Sequence, residues 1–197
     1  FSGKVYSDGS RLDGLSNLLA CNGWAFVVVD NDGCVIAAAS GVPPPWITAI
    51  PGTEAWALLQ AAMCAEHGCE YRIDCQPCVQ AIHKGEKWAT SGIRAHARVF
   101  GMIFAAIDST TVAAFVWMAA HTRPHDVGQM LLGNGDVLTA TDRDVNGMAD
   151  AHAKRAVEQH RVPKHIRMQV VQAEALVRDT ARWIARATHL ANHQPQA

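Results

Sequence analysis

The sequence lacks a large net charge and a long apolar run. Its net charge is −1 over 197 residues, so no overall basic field attracts nucleic acid to the whole chain. Its longest apolar run, VAAFVWMAA at 112–120, has about half of the roughly 20 residues that a membrane-spanning helix needs. Neither a membrane span nor a signal peptide is indicated, and we expect no membrane partner. The chain begins at Phe1 without a charged leader, which favours a segment of a longer polypeptide.

Cysteine is too sparse for a disulfide framework. The six cysteines stand in a chain whose 49% hydrophobic content provides a core of its own, so we expect an intracellular, reducing compartment, either cytoplasm or nucleus. Cys75 and Cys78 have the spacing of zinc or redox motifs, with Cys64, His67 and Cys69 as conceivable partners. Because this pair follows a predicted strand and enters a predicted helix, unlike the turns of a zinc ribbon, we expect buried thiols.

What the sequence does contain is a clear order of strands and helices. Apolar segments at 4–8, 23–30 and 34–40 favour an antiparallel meander, with Asn31-Asp32-Gly33 as the turn between the last two. Alternating helices and strands follow. They are predicted as a helix at 54–68, a strand at 71–75, helices at 77–84 and 92–107, and a strand at 112–118. This order is typical of one mixed sheet with helices on its faces.

Beyond the fifth strand the pattern becomes irregular. The segment 130–140 contains Asn134-Gly135 between apolar arms, which predicts a small projecting hairpin. Helices are predicted at about 145–160 and 164–191, with a proline between them. We therefore divide the chain into a main domain that includes the hairpin and a C-terminal amphipathic helix with its tail, at 1–161 and 162–197.

Four acidic residues lie where the pattern asks for uncharged side chains. Glu54 leads the apolar face of its helix, Asp150 lies on an inward helix face, and Asp8 and Asp74 come at the ends of strands. No lysine or arginine is an obvious partner for them. An unpaired buried charge costs several kcal/mol, so these positions require an explanation.

Each acid also has a purely structural interpretation. Asp8 suits the turn of VYSDGS, Glu54 the first turn of a helix, Asp74 an N-cap, and Asp150 a pair with a surface arginine. All four together are better explained by a shared cation. Carboxylates are hard oxygen ligands, and these suit Mg²⁺ or Mn²⁺.

The order and spacing of the motifs resemble those of ribonuclease H over about residues 5–160. The segments that carry the resemblance are VYSDGS, TEAWALLQAA, IDCQ, WMAAH and NGMADAHAKRA. The resemblance implies the α/β ribonuclease H-like fold, a five-stranded mixed sheet of order 3-2-1-4-5 flanked by helices, here with a C-terminal helical extension. It also implies two Mg²⁺ ions, replaceable by Mn²⁺, bound by Asp8, Glu54, Asp74 and Asp150.

The resemblance assigns further roles to single residues. His121 matches the mobile histidine of the family, which moves a proton as the product leaves. Asn146 matches the asparagine one helical turn before the last acid. Gly9, Ser10 and Gln76 match positions that contact the substrate, where the minor groove displays the 2′-hydroxyls of RNA.

The implied function is that of a metal-dependent endonuclease, which hydrolyses the RNA strand of RNA/DNA hybrids by a two-metal-ion mechanism. The implied partners are the hybrid and a reverse transcriptase or other domain of a retroelement-type polyprotein. A DNA-cleaving nuclease of the same fold is one alternative. A catalytically silent scaffold or nucleic-acid-binding module is another, although four retained acids favour an enzyme.

The sequence departs from the family in features that bind substrate. RLDGLSNLLACNGW replaces a glycine-rich loop, the basic helix-and-loop handle is absent between 84 and 96, and the asparagines of the phosphate pocket are missing. We expect weak binding by the isolated segment. The C-terminal helix, with Arg178, Arg182 and Arg186 beside an apolar stripe, either packs on the sheet or contacts phosphates.

Overall fold

The computed structural model describes residues 1–66, 68–107 and 111–194. His67, a conceivable zinc partner, and the tail residues 195–197 lie outside this part of the chain. The described residues contain a five-stranded sheet of order β3-β2-β1-β4-β5, as the resemblance implied. Its strands are β1 (Lys4–Leu12), β2 (Cys21–Val29), β3 (Val35–Gly41), β4 (Glu70–Ile73) and β5 (Phe115–Trp117).

The central strand β1 joins the two halves of the sheet. It pairs antiparallel with β2 and parallel with β4. Its side chains alternate between the two faces: Val5 packs in the core on one side and Tyr6 in the core on the other. A strand that is buried on both faces has apolar residues in succession. This explains the neighbouring Val5 and Tyr6 before the first acid.

The described part of the chain contains six α-helices. The helix α1 packs on one face of β1 and β2 and against α4, while α5 packs on the other face of the same strands. The helices are α1 (Ile50–Cys64), α2 (Gln76–His83), α3 (Glu86–Ala89), α4 (Ala97–Ala106), α5 (Ala140–Gln159) and α6 (Lys164–Asn192). None of them is both long and apolar enough to cross a membrane.

Several predicted boundaries were wrong. The helix expected at 92–107 begins only at Ala97, and the strand expected from 112 begins at Phe115 after a 3₁₀ turn. The predicted hairpin is present but short, because a single bridge joins Leu131 and Val137. The helix expected from 145 begins at Ala140, since Thr139 and Asp142 form a capping box there.

The helix α6 does not pack on the sheet. None of its residues is buried, and Trp183 is 71% exposed. Near its start, Arg167 pairs with Asp13 at 3.3 Å, and Glu174 accepts a hydrogen bond from Ser16 at 2.6 Å. The expectation of a helix packed on the sheet is therefore wrong, and these contacts join α6 to the segment between β1 and β2.

Candidate active site

The pairing of β1 with β4 brings two of the predicted acids side by side. Ser7 lies opposite Ile73 in this parallel pair, so the next residues, Asp8 and Asp74, lie at the same edge. Asp8 is only 7% exposed. Asp74 follows the end of β4, where Trp117 of β5 donates a hydrogen bond to its carbonyl oxygen at 3.2 Å.

Glu54 reaches the same edge from α1. The helix begins at Ile50, so Glu54 lies beyond its first turn and the interpretation as a first-turn acid is wrong. Close approach of helix and strand depends on Gly9, because a Cβ at this position would lie 2.8 Å from the backbone nitrogen of Glu54. Glu54 is thus held beside Asp8 and is 6% exposed.

Asp8, Glu54 and Asp74 form a cluster with metal-site geometry. One carboxylate oxygen from each lies within 4.8 Å of the others. In the described part of the chain this is the one group of at least three acids, cysteines or histidines with such geometry, so Cys75 and Cys78 do not form a zinc site there. The Cys78 thiol is buried, as predicted, and donates to the Pro51 carbonyl oxygen at 3.6 Å. Cys75 is half-buried and Cys64 is exposed, so the expectation of buried thiols is wrong for these two.

Asp150 lines the same pocket but stands apart from this cluster. Its carboxylate pairs with Lys154, one helical turn later, at 2.7 Å. The expectation that no lysine or arginine would be a partner was therefore wrong for Asp150. Because Lys154 is itself more than half exposed, the pair is weak and can rearrange when another cation binds.

The start of α5 is fixed to β1 by a buried hydrogen bond. Tyr6 donates to Asp142 at 2.7 Å, and Asp142 also accepts from Thr139. One turn further along α5, Asn146 donates through Nδ2 to Asp74 at 3.2 Å. The cap therefore sets the position of the helix that carries Asn146 and Asp150.

Burial and mutual repulsion perturb the acids. Burial, followed by the charges of Asp74 and Asp150, raises the pKa of Asp8 to about 7. Burial and the charge of Asp8 raise the pKa of Glu54 well above its usual range. Burial also raises the pKa of Asp74, despite the hydrogen bond from Asn146. Strongly perturbed carboxyl groups gathered in one cleft are typical of functional sites.

The polar atoms of the cluster fit a bound cation. Asp8 Oδ2, Glu54 Oε2 and Asn146 Oδ1 are buried and have no hydrogen-bond donor among the described residues. All three are oxygen acceptors, and buried acceptors without partners are costly. A divalent cation with oxygen ligands would satisfy them. The donor set therefore suits a divalent cation that takes oxygen ligands.

These side chains line a pocket of about 480 Å³. His121 lies in it with a left-handed backbone, at φ 52°, which costs a non-glycine residue energy and is often found at functional sites. Arg143 also lines the pocket, and sequence reasoning missed it. Arg143 precedes Asn146 by three residues and Asp150 by seven, so it lies on the same face of the helix. This spacing could have identified it from the sequence.

The predicted substrate-contacting residues lie at the margin of this pocket. Gly9 and Ser10 continue β1 beyond Asp8, and Ser10 is buried. Gln76 begins α2 and is exposed. None of the three lines the acidic pocket itself. The contacts of these three residues with substrate therefore stay a prediction.

A basic and aromatic cluster lies in the region where the family handle is missing. Lys84 Nζ lies 4.4 Å, and Arg94 Cζ 3.6 Å, from the ring centre of Trp88 in α3. Nearby in sequence, Arg98 of α4 lies 4.6 Å from the ring centre of Trp46. The sequence analysis did not anticipate this cluster, since its members come from separate segments.

Solved structures that resemble this chain are ribonuclease H domains. RNase H1 from the halophilic archaeon Halobacterium salinarum NRC-1 is 19% identical, with a TM-score of 0.50 over 81% of this chain and 99% of that one. LC11-RNase H1, in complex with an RNA/DNA hybrid, is 16% identical, with a TM-score of 0.53 over 80% and 97%. The chain has the ribonuclease H-like fold. The sequence itself matches no protein-family model and no curated protein.

A viral polyprotein provides another ribonuclease H-like neighbour. The foamy viral protease-reverse transcriptase, in complex with an RNA/DNA hybrid, is 11% identical, with a TM-score of 0.56 over 80% of this chain. The match covers 20% of that longer chain. Similarity at this level of identity establishes the fold, and function rests on the site.

Proposed function

We propose that this protein is a metal-dependent endonuclease that hydrolyses the RNA strand of RNA/DNA hybrids. The observation that carries the proposal is the convergence of Asp8, Glu54 and Asp74, whose carboxylate oxygens lie within 4.8 Å of one another. Their unpartnered oxygens call for a cation. Divalent cations bound in the pocket would balance the negative charge of the carboxylates. They would also attract the negative phosphodiester of the substrate.

Asp8, Glu54, Asp74 and Asp150 would hold two Mg²⁺ ions, which when bound activate water and stabilise the leaving 3′ oxygen. The protein's own contribution is position and charge. Asn146 orients Asp74 through its hydrogen bond, and Lys154 holds Asp150 at the pocket wall. His121, exposed in the same pocket, is placed to move a proton as product leaves.

Recognition of RNA would occur beside the acids. Gly9 and Ser10 follow Asp8 in β1, and exposed Gln76 begins the helix after Asp74. We propose that these groups contact the minor groove, in which RNA displays its 2′-hydroxyls. Two of the structural neighbours are complexes with RNA/DNA hybrids, which is consistent with such a substrate.

The second strand would lie against the cluster of Trp88, Lys84 and Arg94. Lys84 and Arg94 stack on the Trp88 ring, and their charges would contact phosphates, which give affinity without sequence specificity. The foamy viral neighbour carries a reverse transcriptase in the same chain. We propose a similar partner domain for this protein.

The test is a nuclease assay with matched acid substitutions. Labelled RNA/DNA hybrid, double-stranded RNA and double-stranded DNA are incubated with Mg²⁺ or Mn²⁺. We expect cutting of the hybrid alone, inside the RNA strand, and loss of at least 10³-fold in rate for Asp8→Asn, since oxygen ligands are removed from the metals. Asp32→Asn, which changes an exposed acid in the turn after β2, is the control.

Each other result would point elsewhere. No cutting by a folded wild-type protein would favour the catalytically silent scaffold. Cutting of double-stranded DNA would favour a DNA nuclease of the same fold. An active Asp8→Asn protein would refute the site itself.

A further inference from the structure

Cys75 and Cys78 form a thiol pair beside the acidic pocket. They stand where the chain leaves β4, passes Asp74 and enters α2, and both are free thiols. The strand before them pairs parallel with β5, so the connection between the two strands runs through helices. Two cysteines separated by two residues, at a turn from a strand into a helix, are the pattern of dithiol redox motifs. The proposed hydrolysis uses neither thiol.

The turn holds the two side chains at a separation that suits a disulfide. The Cys78 backbone nitrogen donates to the Cys75 carbonyl oxygen at 2.9 Å, and a turn of this kind keeps its end Cα atoms within about 7 Å. Disulfides usually join Cα atoms about 4.4 to 6.8 Å apart. The two thiols are also hydrogen-bonded to each other. An S–S bond can therefore form without unfolding of the turn.

The two thiols differ in access. Cys75 lines the acidic pocket and is half-buried. Cys78 is 2% exposed and donates to the Pro51 carbonyl oxygen at 3.6 Å. A solute in the pocket thus reaches the first sulfur and not the second. This arrangement suits Cys75 for attack on an oxidant, and Cys78 for attack on the oxidised sulfur that results.

The charge of the pocket favours one kind of oxidant. Five of its lining residues are acids, against one arginine. An anionic oxidant, such as the disulfide of glutathione, is repelled by such a surface. Hydrogen peroxide is small and neutral, so this repulsion does not act on it. The pocket therefore fits a peroxide better than a charged disulfide.

We propose that Cys75 and Cys78 are a redox site, which hydrogen peroxide converts to a disulfide that weakens the metal site. The Cys75 thiolate attacks one peroxide oxygen, the O–O bond breaks, and a sulfenic acid forms. The departing hydroxide takes up the thiol proton and leaves as water. The Cys78 sulfur then attacks the Cys75 sulfur, the S–O bond breaks, and the hydroxyl leaves with the Cys78 proton as a second water. The protein gives up two electrons and two protons, and a dithiol reductant restores both thiols.

The disulfide acts on the acids through the backbone on either side of it, an effect on catalysis that rests on the proposed function. Cys75 directly follows Asp74, and Cys78 contacts Pro51 in the first turn of the helix that carries Glu54. An S–S bond is about 2.05 Å long, shorter than any hydrogen bond, so the turn tightens. Cys78 also loses the hydrogen that it donates to Pro51. Displacement of catalytic groups by about 1 Å can lower a rate about 100-fold.

The first test follows the bond itself and needs no activity. Protein in which the two exposed cysteines are replaced, Cys34→Ser with Cys64→Ser, is treated with hydrogen peroxide, its remaining thiols are blocked with N-ethylmaleimide, and peptide masses are recorded. We expect one disulfide between Cys75 and Cys78, reversed by dithiothreitol. Addition of Cys78→Ala should instead leave a sulfenic acid at Cys75, which dimedone traps. A folded protein whose two thiols both stay free would overturn the redox site.

The second test measures the metal site. In the same background, the reduced and oxidised forms are compared by Mg²⁺ titration of the melting temperature and by hydrolysis of the RNA/DNA hybrid. We expect oxidation to raise the Mg²⁺ concentration at half the melting shift about tenfold, and to lower kcat about tenfold to a hundredfold. Dithiothreitol should restore both values. Cys75→Ser is the control, because peroxide should then change neither measurement.

The outcomes separate this inference from the nuclease proposal. Hydrolysis without a disulfide after peroxide treatment overturns the inference and leaves the nuclease intact. A disulfide that leaves the Mg²⁺ midpoint and kcat unchanged overturns it as well, since the pair would then be uncoupled from the acids. If the reduced protein cleaves nothing, the nuclease proposal fails and the Mg²⁺ titration alone decides the inference. An equal response of the two forms, or no response in either, then overturns it.

Discussion

At the scale of the residue, this molecule keeps carboxyl groups where their charges are unfavourable. Burial and the charges of Asp74 and Asp150 raise the pKa of Asp8 to about 7, which corresponds to a cost on the order of 4 kcal/mol for the charged form. Glu54 is perturbed in the same direction. A protein that lacked a ligand for these groups would gain stability by replacing them, so the cost indicates a functional constraint.

The pH dependence of stability follows from these pKa values. Because the pKa of Asp8 is raised on folding, the folded state binds more protons than the unfolded state between about pH 4 and 7. Stability from this group is fully present below pH 4 and is lost as the pH rises through 7. We expect the melting temperature of the metal-free protein to fall between pH 5 and 7.5, as followed by circular dichroism.

Mg²⁺ and Asp8→Asn should both flatten this curve. The cation compensates the charges, and the amide has no charge to bury, so each raises the melting temperature more at pH 7.5 than at pH 5. Asp32→Asn is again the control. A melting temperature that is independent of pH and Mg²⁺ would contradict a shared metal site.

His121 allows a more specific test of its chemistry. Its left-handed backbone, at φ 52°, is tolerated best by glycine and asparagine. His121→Asn therefore removes the imidazole while keeping the backbone preference, and His121→Ala removes both. We expect kcat to fall about tenfold to a hundredfold in both variants, with the smaller loss of stability in His121→Asn. Equal activity of His121→Asn and wild type would assign the histidine a purely structural role.

At the scale of the element, the sequence predicted what is local and missed what depends on packing. Strands β1 and β2 were predicted from β-branched and aromatic runs, but β1 extends to Leu12, so Asp8 lies within the strand and not at its end as predicted. The start of α5 at Ala140 was missed, although Thr139 and Asp142 have the residue types and the spacing of a capping box. The pair of Asp150 with Lys154 was also local, at helical spacing, and could have been predicted.

Contacts between distant segments were not accessible in this way. The stacking of Arg98 on Trp46 joins residues 52 positions apart. The hydrogen bond from Asn22 to the Ile47 carbonyl oxygen joins residues 25 positions apart. Periodicity specifies which face a residue occupies, and it does not specify which loop covers that face.

The contact between β1 and α1 gives a prediction at this scale. A Cβ at Gly9 would lie 2.8 Å from the Glu54 backbone nitrogen and 3.1 Å from its carboxyl carbon. Gly9→Ala should therefore push α1 away from β1, lower stability by about 1 to 3 kcal/mol and reduce cleavage more than tenfold by displacing Glu54. Urea denaturation and the nuclease assay measure the two effects.

Gly101→Ala is the control for Gly9→Ala. A Cβ there would meet only a Thr90 methyl carbon at 3.7 Å, in the interior of α4. We expect it to stabilise the protein by about 0.5 to 1 kcal/mol, because alanine favours the helix. Wild-type behaviour of Gly9→Ala would show that the strand and helix do not need this close approach.

At the scale of the whole molecule, the body at 1–161 and α6 differ in how they are stabilised. The body is held by two cores, one on each face of the sheet. The helix α6 buries no residue and meets the body through Asp13 and Ser16. Most helical stability in proteins comes from packing of an apolar face, which α6 lacks against this body.

The predicted boundary between residues 161 and 162 can be tested by truncation. A chain ending at Val162 keeps the pair of Arg161 with Asp13 and loses the contacts of Arg167 and Glu174. Each lost contact is worth about 1 kcal/mol or less, and each kcal/mol shifts the melting temperature of a domain of this size by about 2 to 4 °C. We expect cooperative melting a few degrees below that of the full chain. Arg167→Ala with Glu174→Ala in the full chain, which removes the same two contacts without removing α6, should show a similar shift. Loss of cooperative melting in the truncated chain alone would mean that α6 belongs to the folding unit, since the loss of these two contacts by itself cannot account for so large an effect.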